Sequence, residues 1–282
     1  MKLCRLGSPG EERPCVVDPE GTVFDLSSLT RDIDGAFLAG GGIERVRAAL
    51  AAGELPRAAS GQRVGAPVAR PGKVVCIGLN YSDHAEETNA AVPAEPVVFM
   101  KAPGTVVGPD DEVLVPRGSV KTDYEVELAI VIGATARYLA SPDEAAGVIA
   151  GYAVVNDVSE REFQLERGGQ WDKGKSCETF NPMGPWLVTP DEVGDPQALG
   201  LRVWVNGELR QNGNTKNQIF GVHHVVWYLS QFMVLEPGDV VNTGTPAGVA
   251  LGRGADAYLR AGDVVEVEID GLGRQRQRMG QA

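Results

Sequence analysis

The sequence predicts a mixed, β-rich α+β fold, better matched to a sandwich, roll or barrel than to a doubly wound sheet. Three observations carry that expectation. Short apolar and β-branched runs recur at close intervals along the chain. The 282 residues include 36 Gly and 18 Pro, enough to punctuate many turns. Asn206-Gly207, set between two alternating runs in LRVWVNGELRQ, is the strongest short hairpin signal in the chain.

Composition bounds the function. At 43% hydrophobic the chain can bury a sizeable core, and its length suits one large domain or a large domain with a small appendage; the division expected is residues 1–65 and residues 66–282. Thirty-eight acidic against 26 basic residues leave a net charge of −12, the wrong sign for holding a phosphate backbone, so nucleic acid is not an expected partner. An acidic protein acting on a small anion needs local positive charge, most simply a metal with a Lys or Arg. Cys4, Cys15, Cys76 and Cys177 have no Cys-x-x-Cys spacing and are too few to staple a chain of this size. With no signal-like apolar run at the start and no membrane-length window, a cytoplasmic protein that does not enter a membrane is expected.

In chain order, LCRL, PCVV and TVFDL read as short strands, and residues 43–52 (IERVRAALAA) as a helix ending before Gly53. Residues 56–72 lack periodicity and read as a connection. VVCIGLNY is a buried strand leading into SDHAEE, where Ser82 or Asp83 can cap a helix, with Glu86 in capping-box position to Asp83. VVFMK, GTVVG and EVLVP continue the strands. Residues 141–150 read as a short helix with Ser141 as N-cap, YAVVN as a strand, and the segment after Asp157 as another short helix. Residues 220–235 give the longest expected helix, with Val222, Val225, Val226, Leu229, Phe232 and Met233 as core contacts and no catalytic role for His223 or His224. The loop NTGTPAGV, with the Thr243 and Thr245 hydroxyls, is suited to hold an anionic group, although no Walker signature is present.

The chemistry concentrates around residues 122–133, TDYEVELAIVIG. On an extended strand Glu125 and Glu127 project to the same side, and the apolar run after them reads as a strand buried on both faces. Two carboxylates so placed call for a cation or a network of donors, the alternative being a solvated strand face. Asp157, at the end of another apolar strand, is a third ligand if it lies near them, or a helix cap if it does not. Oxygen-only ligation suits Mg²⁺ or Mn²⁺. His84 and Glu87, at i and i+3 of the SDHAEE helix, are close enough to interact, or else the acids there only complement the helix dipole. Lys173 and Lys175 share a Gly- and Pro-rich loop, and the sequence does not choose between them.

Taken in order, CIGLNYSDHAEE, FMK, DYEVELAIVIG, VVNDVSERE, DKGKSCETFNPMGP and EPGDVVNTGTPAGV resemble the fumarylacetoacetate hydrolase superfamily from Lys73 to about Asp270. The resemblance implies a mixed β-sandwich roll, a small N-terminal domain and a homodimer. It implies Glu125, Glu127 and Asp157 as metal ligands, His84 and Glu87 as a dyad activating water, and Lys175 as the site lysine. Arg161, Gln164 and Thr245 become substrate contacts, with Lys101 a further polar position near the site. The activity implied is hydrolysis of a small anionic keto acid of the 2,4-diketo type; the family's decarboxylases, isomerases and ureidoglycolate lyase-like members are alternatives within it, and a non-catalytic metal-stabilised binding protein is the alternative outside it. Glu178 departs from the Asp often found before Thr-Phe in the family, in the loop bearing Lys175 and Thr179.

Overall fold

A computed structural model describes residues 1–87 and 91–282. Among the described residues the largest sheet has ten strands. Nine lie in the order Val23–Asp25, Arg13–Val17, Lys2–Leu6, Leu187–Val188, Ile149–Asn156, Val126–Ile132, Val240–Asn242, Val74–Gly78, Val97–Lys101, and Val64–Gly65 also pairs with Lys2–Leu6. The strands nearest the N-terminus thus continue the same sheet as the motif-bearing strands, through the pairing of Lys2–Leu6 with Leu187–Val188. A second sheet of five strands runs in the order Glu208–Asn214, Gly200–Val205, Val264–Ile269, Gly273–Gln281, Val113–Val115. This is the sheet-rich α+β architecture the short runs predict.

The strand Val126–Ile132 is buried at every position. Its even-numbered side chains, Leu128, Ile130 and Ile132, join a core with Leu201, Val203, Val265 and Val267 of the five-stranded sheet and Val225, Val226 and Leu229 of the helix Val222–Ser230. Its odd-numbered Ala129 and Val131 face a second core with Leu3, Val46 and Val155. A strand apolar on both sides satisfies both layers, which is why its run is continuous and not alternating. Polar groups at its start therefore have no solvent face to turn to.

The antiparallel pairing of this strand with Ile149–Asn156 sets Val126 opposite Asn156. The chain after Asn156 then emerges beside the chain before Val126, and Asp157 N–H donates to the Glu125 carbonyl at 2.9 Å. The expected strand over residues 122–133 is interrupted at Tyr124 and Glu125. Asn156 Oδ1 accepts from Glu125 N–H at 3.1 Å and Gln211 Oε1 from Val126 N–H at 3.0 Å, so side-chain carbonyls replace ladder partners there. Thr122–Asp123 pairs instead with Ser159–Glu160.

Other elements differ from expectation in extent. The longest helix is Gly42–Ala52, with 11 residues against 9 in Val222–Ser230. Phe232 lies beyond that second helix and is 67% exposed, so it is no core contact. Residues 142–148 form a 3₁₀ helix without a Ser141 side-chain cap, and Ile149 already belongs to a strand. In the segment after Asp157, Ser159–Glu160 is a short strand and only Glu162–Glu166 winds, as a π-type turn. The Asn206-Gly207 hairpin forms as expected, both residues at positive φ (52° and 82°), as a type I′ turn requires. No helix among the described residues is long and apolar enough to cross a membrane.

Because Leu128 is fully buried between the two sheets, Leu128→Ala should lower stability by about 2–5 kcal/mol. Urea unfolding of the purified protein measures this.

Candidate active site

Glu125, Glu127 and Asp157 can each offer a carboxylate oxygen so that all lie within 4.8 Å of one another, and all three residues are buried. Three buried cations surround them. Lys175 Nζ donates to Glu125 Oε2 at 2.6 Å and to Asp157 Oδ2 at 3.0 Å. Lys101 Nζ pairs with Asp157 and donates to the Val158 carbonyl at 3.1 Å. Arg161 spans Glu125 (2.5 Å), Asp123 (2.8 Å) and Gln164 (2.9 Å).

Local structure decides which lysine reaches the site. Lys175 ends the short helix Asp172–Lys175, which Asp172 ties to the adjacent strand by accepting from Met100 N–H at 3.1 Å. Gly174 packs so closely that a Cβ there would lie 2.4 Å from the Glu160 carbonyl oxygen. That contact turns Lys175 inward, while Lys173 is exposed and its ammonium pairs with the Arg167 carbonyl. Glu178 is exposed as well, and its presence leaves Lys175 in the cluster.

The electrostatics are uneven. Burial would raise the Glu125 carboxyl, but Lys175 and Arg161 outweigh it and bring the pKa down to about 2. Glu127 is pushed well above the ordinary carboxylate range, first by burial and then by the charges of Asp157 and Glu125. Its protein donor is Gly244 N–H at 2.8 Å, and among the described residues it has no ion pair. Burial depresses Lys175, yet Asp157 and Glu125 together raise it. Counting Asp123, four buried acids face three buried cations, one negative charge in excess. A divalent cation fits this donor set: it would relieve the repulsion at Glu127 and leave one positive charge for an anionic ligand.

Beside the carboxylates, His84 and Glu87 lie on the helix Ser82–Glu87 with Nδ1 and Oε2 3.5 Å apart. Both Glu87 oxygens accept from Gly248 N–H, at 3.2 and 3.0 Å. The loop expected to bind an anion thus holds anions of its own chain. Gly244 donates to Glu127 and Gly248 to Glu87, while Ala250 and Leu251 just beyond donate to Asp123 at 2.7 and 3.0 Å. Gly244 takes φ 96°, and a Cβ there would lie 2.8 Å from that of Asn80, so the close approach requires glycine.

These groups enclose a cavity of ≈ 180 Å³ lined by His84, Glu125, Glu127, Arg161, Gln164, Lys175 and Thr245 with apolar neighbours. Asp157, Glu87 and Lys101 are not in that lining; Lys101 holds Asp157 from behind and is not placed as a substrate contact. Thr245 Oγ donates to the Val126 carbonyl at 2.9 Å and accepts from Gln211 at 2.8 Å, so its hydroxyl hydrogen is already engaged. The Gln164 carbonyl is held by Arg161, and its NH₂ is not taken by any described residue. A larger cavity of ≈ 810 Å³ lies elsewhere and shares no residue with this lining; its Arg5 and Arg63 are paired with Asp32, Glu12 and Asp111. Asp123 is the partner that sequence reasoning passed over. It continues the odd-numbered series with Glu125 and Glu127, a signal available in the sequence.

A sheet-rich α+β fold carrying buried carboxylates around a small cavity, with a His–Glu pair beside them, presents a donor set that could hold a divalent metal. The chain belongs to the fumarylacetoacetate hydrolase family: residues 73–279 match the family model described as fumarylacetoacetate (FAA) hydrolase C-terminal. A Burkholderia multivorans relative, 52% identical over 280 residues and matched over 98% of both chains, is described no further than as a hydrolase. The solved fumarylacetoacetate hydrolase of Exiguobacterium antarcticum is 36% identical, with a TM-score of 0.85 over 100% of each chain. Maleylpyruvate hydrolase from Sphingobium, solved with manganese(II) and pyruvate, is 29% identical with a TM-score of 0.81, again over 100% of each chain.

Removing Asp123 takes one of its three acceptors from the buried Arg161 guanidinium and leaves the backbone N–H groups of Ala250 and Leu251 without theirs. Asp123→Ala should therefore destabilise the fold by about 3–5 kcal/mol, read as a lowered urea midpoint.

Proposed function

We propose that this protein is a Mg²⁺- or Mn²⁺-dependent hydrolase of 2,4-diketo acids, cleaving an acylpyruvate to pyruvate and a second carboxylic acid. The observation that supports this best is the set of three facing carboxylates, Glu125, Glu127 and Asp157, beside the separate His84–Glu87 pair. The manganese and pyruvate in the maleylpyruvate hydrolase structure point the same way.

Glu125, Glu127 and Asp157 are the residues that would hold the metal. When bound, the metal supplies Lewis acidity and a fixed point for a 2-keto carboxylate. Lys101 and Lys175 keep the carboxylates oriented from the protein side. Glu87, itself held by Gly248, orients His84, and His84 takes the proton from the attacking water. The hydroxyl adds to C4, the C3–C4 bond breaks with its electron pair going to C3, and the pyruvate enolate so released takes a proton at C3. The free NH₂ of Gln164 and the Lys175 ammonium are the donors for oxygens that gain charge. A homodimer is the assembly proposed for the enzyme.

The test is a panel of acylpyruvates, 2,4-diketo-3-deoxy sugar acids and oxaloacetate, assayed with and without Mg²⁺ or Mn²⁺, with products identified. Pyruvate plus a second acid, lost on chelation, is expected; carbon dioxide as the sole cleavage product would make the protein a decarboxylase. His84→Ala should reduce kcat by about 10²–10⁴-fold while Mn²⁺ affinity is retained.

The raised Glu127 carboxyl gives a pH signature. In the metal-free protein the neutral form is favoured below its titration, so that stabilising contribution is lost as pH rises. A metal needs the ionised form, so Mn²⁺ affinity should increase with pH and binding should release a proton. Calorimetry in buffers of different ionisation enthalpy measures both, and Glu127→Gln should abolish the proton release.

A further inference from the structure

Apart from its polar groups and two glycines, the cavity is walled by Ile77, Leu79, Phe99, Leu165, Trp171 and Leu251. This wall is built to hold its shape. Trp171 lies against Gly78 so tightly that a Cβ there would meet its ring at 2.6 Å. The edge of one ring meets the face of the other between Trp171 and Phe99, with centroids 5.4 Å apart at 65°. Leu79 is held at φ 53°, a conformation unfavourable for its type that persists only where the surroundings impose it.

Both cations of the lining are paired with the cluster's own acids, and the donor that Lys175 has left is the one assigned to oxygens gaining charge in the reaction. Arg161 is held by Asp123 and Glu125, and Lys175 by Glu125 and Asp157, with the carboxylate cluster taking both. Among the described residues, the remaining titratable groups facing the cavity are His84, assigned to the water, and the two glutamates. A second carboxylate on the substrate would enter an apolar wall beside buried acids, at a heavy desolvation penalty.

Building on the diketo-acid reading, we infer that the substrate's acyl group beyond C4 is uncharged and apolar. The enzyme then takes alkyl or aryl acylpyruvates and rejects dicarboxylates such as maleylpyruvate. Specificity lies in the wall formed by Leu79, Phe99, Leu165, Trp171 and Leu251.

Binding of stable 2-keto acids to the Mn²⁺-loaded protein tests this without turnover, since pyruvate, 2-oxohexanoate and 2-oxopentanedioate share one head group and differ only in the tail. Calorimetry should show 2-oxohexanoate binding at least about tenfold more tightly than pyruvate, as burial of three methylene groups allows, and 2-oxopentanedioate no more tightly than pyruvate. Leu165, 44% exposed, tolerates a charge without unfolding the protein, so Leu165→Arg should reverse the order of the two longer acids. Tighter binding of the dicarboxylate to the unaltered protein overturns the inference while leaving the keto-acid reading in place. No binding by any of the three overturns that reading and the inference with it. In turnover, an alkyl acylpyruvate should exceed maleylpyruvate in kcat/KM by about 100-fold or more.

Discussion

The structure depends on one electrostatic arrangement: four acids and three cations buried together where the central antiparallel strand pair ends. No member could be left there alone, because a lone buried charge is far more costly than the exposed ion pairs at the surface are beneficial. Glu127, which among the described residues has a backbone donor but no ion pair, is the acid this imbalance leaves uncompensated, and its carboxyl is pushed toward the neutral form. The same cluster ties distant segments together. Arg161 links Asp123 to Glu125, and Asp123 in turn fixes the backbone at Ala250 and Leu251.

Much of this was legible in the sequence, because it followed from periodicities. The continuous apolar run at residues 128–132 marked a strand buried on both faces, and period two placed Glu125 and Glu127 together; both hold. Asp157 could be nominated as a strand-end acid, yet its approach to Glu125 depends on strand register, a long-range property. Asp123 stands in the same odd-numbered series, but its role shows only through its contacts with Arg161, Ala250 and Leu251, which lie far from it in sequence. The choice of Lys175 over Lys173 rests on the packing of Gly174 against the Glu160 carbonyl, which no local pattern reveals.

The loop NTGTPAGV shows how a correct physical reading can miss its object. Its backbone N–H groups do bind anions, but the anions are Glu127 and Glu87, and its threonine hydroxyls donate to carbonyls of the central strand. It braces Glu127, one of the three clustered carboxylates, and holds Glu87 of the His84–Glu87 pair. Gly244 and Gly248 lie at positive φ, where close approach excludes larger residues. Lys101, nominated for the substrate, likewise serves to hold Asp157. In both cases a polar group suited to a ligand is used by the protein to position a group nearer the chemistry.

The pairing of Val126–Ile132 with Ile149–Asn156 has a further consequence. The distance between Glu125 and Asp157 is fixed by the register that builds the core, and a slip of one residue would turn buried side chains to the wrong layer. The head of the site is thus inherited with the fold itself. The cavity wall comes largely from short turns outside that pairing, at Leu79, Leu165, Trp171 and Leu251, whose side chains can change without touching the register. Such a division lets one scaffold diversify in what it accepts while the carboxylate geometry stays constant.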